Sequence, residues 1–162
     1  MTAERMMKEY EGMKRELSVL EIQIERFHGV DERDIISSML YGHGENTDRV
    51  QTSGVSDKTA KIAMNYRKVV ERENEDWLDF LWERYKRIYE EVDFFEKCIK
   101  NLPEELSGLF MDMVQKKLTW DEISDKYCLS RSSLSRHRSS AIKKINEAYS
   151  LRDMQKEEFM LS

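Results

Sequence analysis

Between Thr119 and Leu134 the chain reads Thr-Trp-Asp-Glu-Ile-Ser-Asp-Lys-Tyr-Cys-Leu-Ser-Arg-Ser-Ser-Leu. Thr119 followed three residues later by Glu122 is the pattern of a capping box, in which each side chain satisfies the other residue's free backbone amide at a helix start. Trp120, Ile123 and Tyr127 give the short helix that follows a buried side. Cys128-Leu129 then reads as a tight turn, and Ser130 is placed to cap a second helix. The inner stripe of that helix is Leu134, Ala141, Ile142 and Ile145. Two short helices joined by a brief turn, the second one basic and rich in serine, have the layout of a helix-turn-helix.

Upstream, the pattern is helical as well. From Ala3 to Phe27 the apolar residues Met6, Tyr10, Met13, Leu17, Leu20, Ile24 and Phe27 are spaced alternately by four and three, a heptad seam that needs a partner helix. Ile22 falls off this stripe and is expected to be partly exposed. Gly29 stops the helix. Residues 28–55 read as a flexible connection, with a short apolar patch (Ile35, Ile36, Met39, Leu40, Tyr41) ahead of a glycine-bearing polar run. A second long helix begins near Ser56 or Asp57. It carries Ile62, Tyr66, Val70, Trp77, Leu81, Tyr85, Ile88, Val92, Phe95, Ile99 and Leu102 on one seam, with a weak layer at Glu73–Asn74. Pro103, the only proline, ends it and opens a helix with Leu106, Leu109, Phe110, Met113 and Val114 on its inner face. The reading is an all-α protein: a long helical hairpin and oligomerisation region over 1–102, a helix-turn-helix domain over 103–150, and a tail over 151–162 that extends the last helix or docks loosely.

Composition narrows the function. Charged residues make up 36% of the chain, and no apolar run is long enough to span a membrane. The charged start, Met-Thr-Ala-Glu-Arg, carries no secretion signal, so a cytoplasmic protein without membrane contact is expected. Cys98 and Cys128 are too few for a disulfide framework, which leaves free thiols or one bridge. The formal net charge of −5, taken over the whole chain, opposes a nucleic-acid partner, yet it is unevenly spread. Residues 101–162 hold ten basic and ten acidic side chains, and Ser130–Lys144 holds Arg131, Arg136, Arg138, Lys143 and Lys144 with no acid. Local field, acting within a Debye length of about 8–10 Å, decides whether a phosphate backbone is attracted.

With Leu134, Ala141, Ile142 and Ile145 turned inward, the outward arc holds Arg131, Ser132, Ser135, Arg136, Ser139 and Lys143. Serine propagates a helix poorly but lets a backbone approach base edges and phosphates closely. Arg131, Ser132, Ser135 and Arg136 are the candidates for groove contacts; Arg138, Lys143, Lys116 and Lys117 are candidates for phosphate neutralisation. No enzyme is expected. Ser140-Ala141-Ile142-Lys143 matches a serine acyl-transferase motif without its companions, and there is no phosphate-binding glycine loop or paired-histidine motif. His28 and His43 share no ligand spacing with each other or with either cysteine, so neither metal nor cofactor is assigned.

The run Leu102-Pro103-Glu104-Glu105, Leu118–Ile123, Leu129–Leu134 and Ala141–Ile145 resembles the C-terminal promoter-reading domain of bacterial sigma factors. Together with Asp48–Gly54 and the long helices, the chain is similar to ArpU/RinA-type late transcriptional regulators of phages and prophages. The resemblance implies a sequence-specific regulator, an activator, that binds promoter or operator double-stranded DNA as a homodimer and contacts RNA polymerase. Two positions depart from the pattern: Cys128 stands where the turn usually has glycine, and Ser124 where a small alanine is usual. Two other readings stay open on the sequence, a phage DNA-packaging recognition subunit of small-terminase type and an RNA-polymerase-binding factor without DNA specificity of its own.

Overall fold

A computed structural model describes residues 2–31, 33–35, 37, 57–115 and 118–161, with side chains of the second long helix described from residue 65. The described residues are all-helical. The five helices are α1 (Ala3–Glu25), α2 (Asp57–Lys100), α3 (Glu104–Gln115), α4 (Trp120–Tyr127) and α5 (Arg131–Leu161); a short helical stretch also covers residues 33–35. None of these helices is long and apolar enough to cross a membrane. Most of the expected connection over 28–55, and both Lys116 and Lys117, lie outside the described residues.

The chain divides into two compact units, Met1–Val19 with Lys86–Ser162, and Leu20–Tyr85. In the first, α1 buries Ala3, Met6, Tyr10 and Leu17, and α2 buries Ile88, Val92, Phe95 and Ile99. Tyr10 meets Phe95 at 6.0 Å between ring centroids, and Phe95 meets Phe110 of α3 edge-on at 6.4 Å. These aromatic contacts bring three helices onto one apolar centre.

In the second unit, Tyr85 donates to Glu21 Oε1 at 2.9 Å and the Val30 amide donates to Asn74 Oδ1 at 2.7 Å. Partners therefore descend on α2 as numbers rise on the other strand of chain, an antiparallel pairing. The weak layer of the seam at Asn74 acquires a reason here. Gly29 sits at φ +91°, and a Cβ there would come within 3.0 Å of the Asn74 side chain. A polar residue in that layer receives the amide freed where α1 has ended, which an aliphatic one could not do.

Several expectations are corrected. α1 ends at Glu25 and α2 at Lys100, two residues inside the seams read from the sequence, because the last apolar residue of each is held by a looser terminal turn (Phe27 N to Ile24 O, 3.3 Å; Leu102 N to Ile99 O, 3.1 Å). Trp77, expected on the buried seam, is 43% exposed and stacks on Phe80 at 5.5 Å. Trp120 is also largely exposed. It occupies the first position of an eight-residue helix, where less of the neighbouring helix is in reach. Ile22 is exposed, as its place off the stripe implied.

Candidate nucleic-acid interface

The geometry of α4 and α5 begins with their caps. Thr119 Oγ1 accepts from the Glu122 amide, and Glu122 Oε2 accepts from the Thr119 amide at 2.7 Å, closing the box in both directions. Those bonds, the one to the Thr119 backbone amide first, hold the Glu122 carboxyl below its usual range. At the other end Cys128 adopts φ 50°, ψ 40°, the left-handed conformation, and its amide reaches Asp125 and Ser124 carbonyls. The left-handed position usual for glycine is therefore kept although the residue is cysteine, at a cost of about 1–2 kcal/mol. Ser124, the second departure, closes the same turn from inside: the Leu129 amide donates to the Ser124 carbonyl at 3.0 Å and the Ser124 hydroxyl donates to the Leu129 carbonyl. An alanine there could not make the second bond. Ser130 Oγ then accepts from the Ser133 amide at 3.2 Å and starts α5.

A small apolar centre fixes the angle between these helices. Leu109, Ile123 and Leu134, one from each of α3, α4 and α5, are at most 2% exposed, and Met113, Leu118, Tyr127 and Leu129 close over them. Asp112, buried on α3, accepts from the Tyr127 hydroxyl at 2.8 Å and from Lys126 Nζ. This polar tie between α3 and α4 was not foreseen from the sequence. Its signal was an acid on an otherwise apolar α3 face, ambiguous in a chain with so many carboxylates.

Further along, α5 is held by the rest of its unit. Asn146 Oδ1 accepts from the Ala3 amide at 2.7 Å, which caps α1, while Asn146 Nδ2 donates to Glu4 at 3.2 Å. Tyr149 is 2% exposed and meets Phe94 of α2 at 5.0 Å. Arg152 lies 4.5 Å from the Phe94 ring and 4.8 Å from the Tyr149 ring, and pairs with Glu91 at 3.1 Å. Burial, then the neighbouring Glu91 carboxylate, raises the Tyr149 phenol's pKa. The helix thus continues through the expected tail to Leu161, where Phe159, Met160 and Leu161 are exposed.

Of the candidate contact residues, Arg131, Ser132, Ser135, Arg136, Ser139 and Lys143 are all exposed. Ser132, Arg136, Ser139 and Lys143 form one row with steps of four, three and four residues, covering roughly 16 Å at 1.5 Å per residue. Among the described residues no hydrogen bond or ion pair engages the side chains of Arg136 or Lys143. Ser132 shares a hydroxyl–hydroxyl contact of 3.0 Å with Ser130. Arg131 is paired with Asp121, its Nη2 donating at 2.6 Å.

Arg138 stands apart from this row. It is half-buried and borders an open groove of about 840 Å³ that also holds Glu4, Asn146 and Lys143. The Glu4 carboxyl is kept below its usual range by its own backbone amide, then by Asn146, and more weakly by Arg138. Cys98 is half-buried and Cys128 exposed, and both are free thiols. Among the described residues no three His, Cys, Asp or Glu side chains are grouped to share a metal ion. A scan against protein-family models and searches of curated proteins and of solved structures find no match to this chain.

Proposed function

We propose that the protein binds double-stranded DNA through the outward row of α5 and acts as a sequence-specific regulator of transcription. The observation that carries the reading is the exposed row of Ser132, Arg136, Ser139 and Lys143, within a stretch from Ser130 to Lys144 that contains no acid, on a helix whose opposite face is buried against α3 and α4. A helix so presented suits a major groove about 12 Å wide. Serines keep the approach close, while cations attract the backbone. The three-residue turn with its left-handed Cys128 supports the same reading, since it holds α5 at one angle to α4. A dimer bringing two such helices to repeated half-sites adds their affinities, and contact with RNA polymerase belongs to the same proposal. The sigma-like resemblance of residues 102–145 favours a regulatory role over a packaging role.

Binding to a duplex pool, followed by enrichment and sequencing, is the direct test. One enriched motif is expected. With about four cationic contacts to phosphate, raising salt from about 50 to 200 mM weakens binding roughly 100-fold, given a slope near −0.9 per contact. Arg136→Ala costs about 1–3 kcal/mol on the enriched site and much less on random duplex if the side chain reads a base. A flat salt response, or binding absent at any salt, overturns the reading.

A further inference from the structure

Asp121 stands in the first turn of α4 and Arg131 opens α5, so the two side chains face each other across the turn between the helices. Arg131 donates from Nε at 3.0 Å and from Nη2 at 2.6 Å to a single oxygen, Oδ1 of Asp121. Both side chains are mostly exposed, 72% and 68%. An ion pair so exposed contributes little to stability, so its consequence is geometric.

A guanidinium offers two flat donor edges, a side edge made by Nε and Nη2 and an end edge made by Nη1 and Nη2. Asp121 takes the side edge. The end edge keeps two parallel N–H groups, the arrangement that pairs with O6 and N7 of guanine in the major groove. An arginine on a helix's first turn is otherwise rotamer-rich, and ordering it at the moment of binding costs free energy. A carboxylate that orders it beforehand removes part of that cost. It also narrows the directions in which the end edge can point, so a phosphate at an arbitrary angle is served less well than a base edge in the groove.

We infer that Asp121 is a positioning residue that aims Arg131 at a guanine. This rests on the DNA-binding reading of α5 and adds a base and a residue to it. An acid beside a nucleic-acid surface has a rival consequence, uniform repulsion of phosphate, and the two differ in what they do to sequence preference.

The test compares the full chain with Arg131→Ala and Asp121→Asn on the motif enriched by the unmodified protein, and on that motif with each base pair exchanged in turn. Circular dichroism and thermal melting check that helix content is retained. Arg131→Ala identifies one guanine whose exchange no longer matters. Asp121→Asn is expected to reduce discrimination at that same base pair by about tenfold while affinity for random duplex holds or rises, since one negative charge is removed. Equal changes on all sequences overturn the inference in favour of simple repulsion. A loss at a different base pair overturns it in favour of a direct Asp121 contact, and an Asp121→Asn protein with unaltered preference overturns it alone. Failure of the unmodified protein to enrich any motif removes the parent reading and the inference together.

Discussion

At Cys128 a cysteine holds the left-handed backbone that the turn requires, with φ 50°. Its thiol contributes only a long contact of 3.8 Å to the Asp125 carbonyl, so little is lost by removing it. Cys128→Gly relieves the Cβ strain and gives back part of that gain as unfolded-state entropy. The expected outcome is a stabilisation of about 1 kcal/mol, read as a higher urea midpoint at unchanged slope. The same residue shows what local chemistry could reveal: the departure from glycine was visible in the sequence, and so was the strain it carries at positive φ, but whether the backbone would keep the conformation was not. Ser124 decided that, by bonding the Leu129 carbonyl from within the turn. A hydroxyl at that place reads as a tolerated small residue until its partner's position is known.

At the scale of the element, α4 depends on its start. Eight residues are too few to hold a helix by propensity alone, and the capping box with the Leu109, Ile123 and Leu134 contact makes up the difference. Thr119→Ala removes the hydroxyl that accepts from Glu122 and is expected to cost about 1 kcal/mol in chemical denaturation. The pH dependence has a defined sign. Because the folded state holds the Glu122 carboxyl below its usual range, its contribution is present above the ordinary carboxylate pKa and fades as pH falls through the lowered one. A Glu122→Gln protein, which keeps a hydrogen-bonding side chain without the charge, should therefore lose less stability between neutral and acid pH than the parent. On the seams, the alternation of fours and threes identified Met6, Tyr10, Leu17, Leu20, Ile88, Val92, Phe95 and Ile99 as interior, all of them buried. It misplaced Trp77 and Trp120, because periodicity gives the direction of a side chain from its own axis and not how far the neighbouring helix extends.

On the scale of the molecule, α5 is clamped at both ends of its buried stripe, by the α3 and α4 contact around Leu134 and by Phe94, Tyr149 and Arg152 farther on. Global stability should report on this unit at alkaline pH. Tyr10 donates to Glu96 Oε1 at 2.6 Å, and burial followed by that carboxylate pushes its phenol up from 10.0 to about 12. The unfolded chain releases the proton first, so the contribution is whole below pH 10 and is lost as pH rises from about 10 to 12. Tyr10→Phe should flatten that loss by up to roughly 3 kcal/mol, the equivalent of the shift, measured as denaturant midpoints across the range; an unchanged alkaline slope would contradict the burial assigned to this phenol.

Helix type, the seams, the caps at Thr119 and Ser130, and the acid-free stretch from Ser130 to Lys144 all belonged to the sequence alone. Each arises from interactions within a few residues, or from a period that one helix can carry by itself. The tie of Asp112 to Tyr127, the amide of Val30 on Asn74, the bond between Ala3 and Asn146, the contact of Arg152 with the Phe94 and Tyr149 rings and the hold of Asp121 on Arg131 required the tertiary structure. Those pairs join residues brought together only when helices dock, and in a chain dense with charge many other partners were equally compatible with the sequence. Docking selects among them because it decides which polar groups come within about 3 Å of one another, whether buried as at Asp112 or exposed as at Asp121, a condition no linear pattern can express.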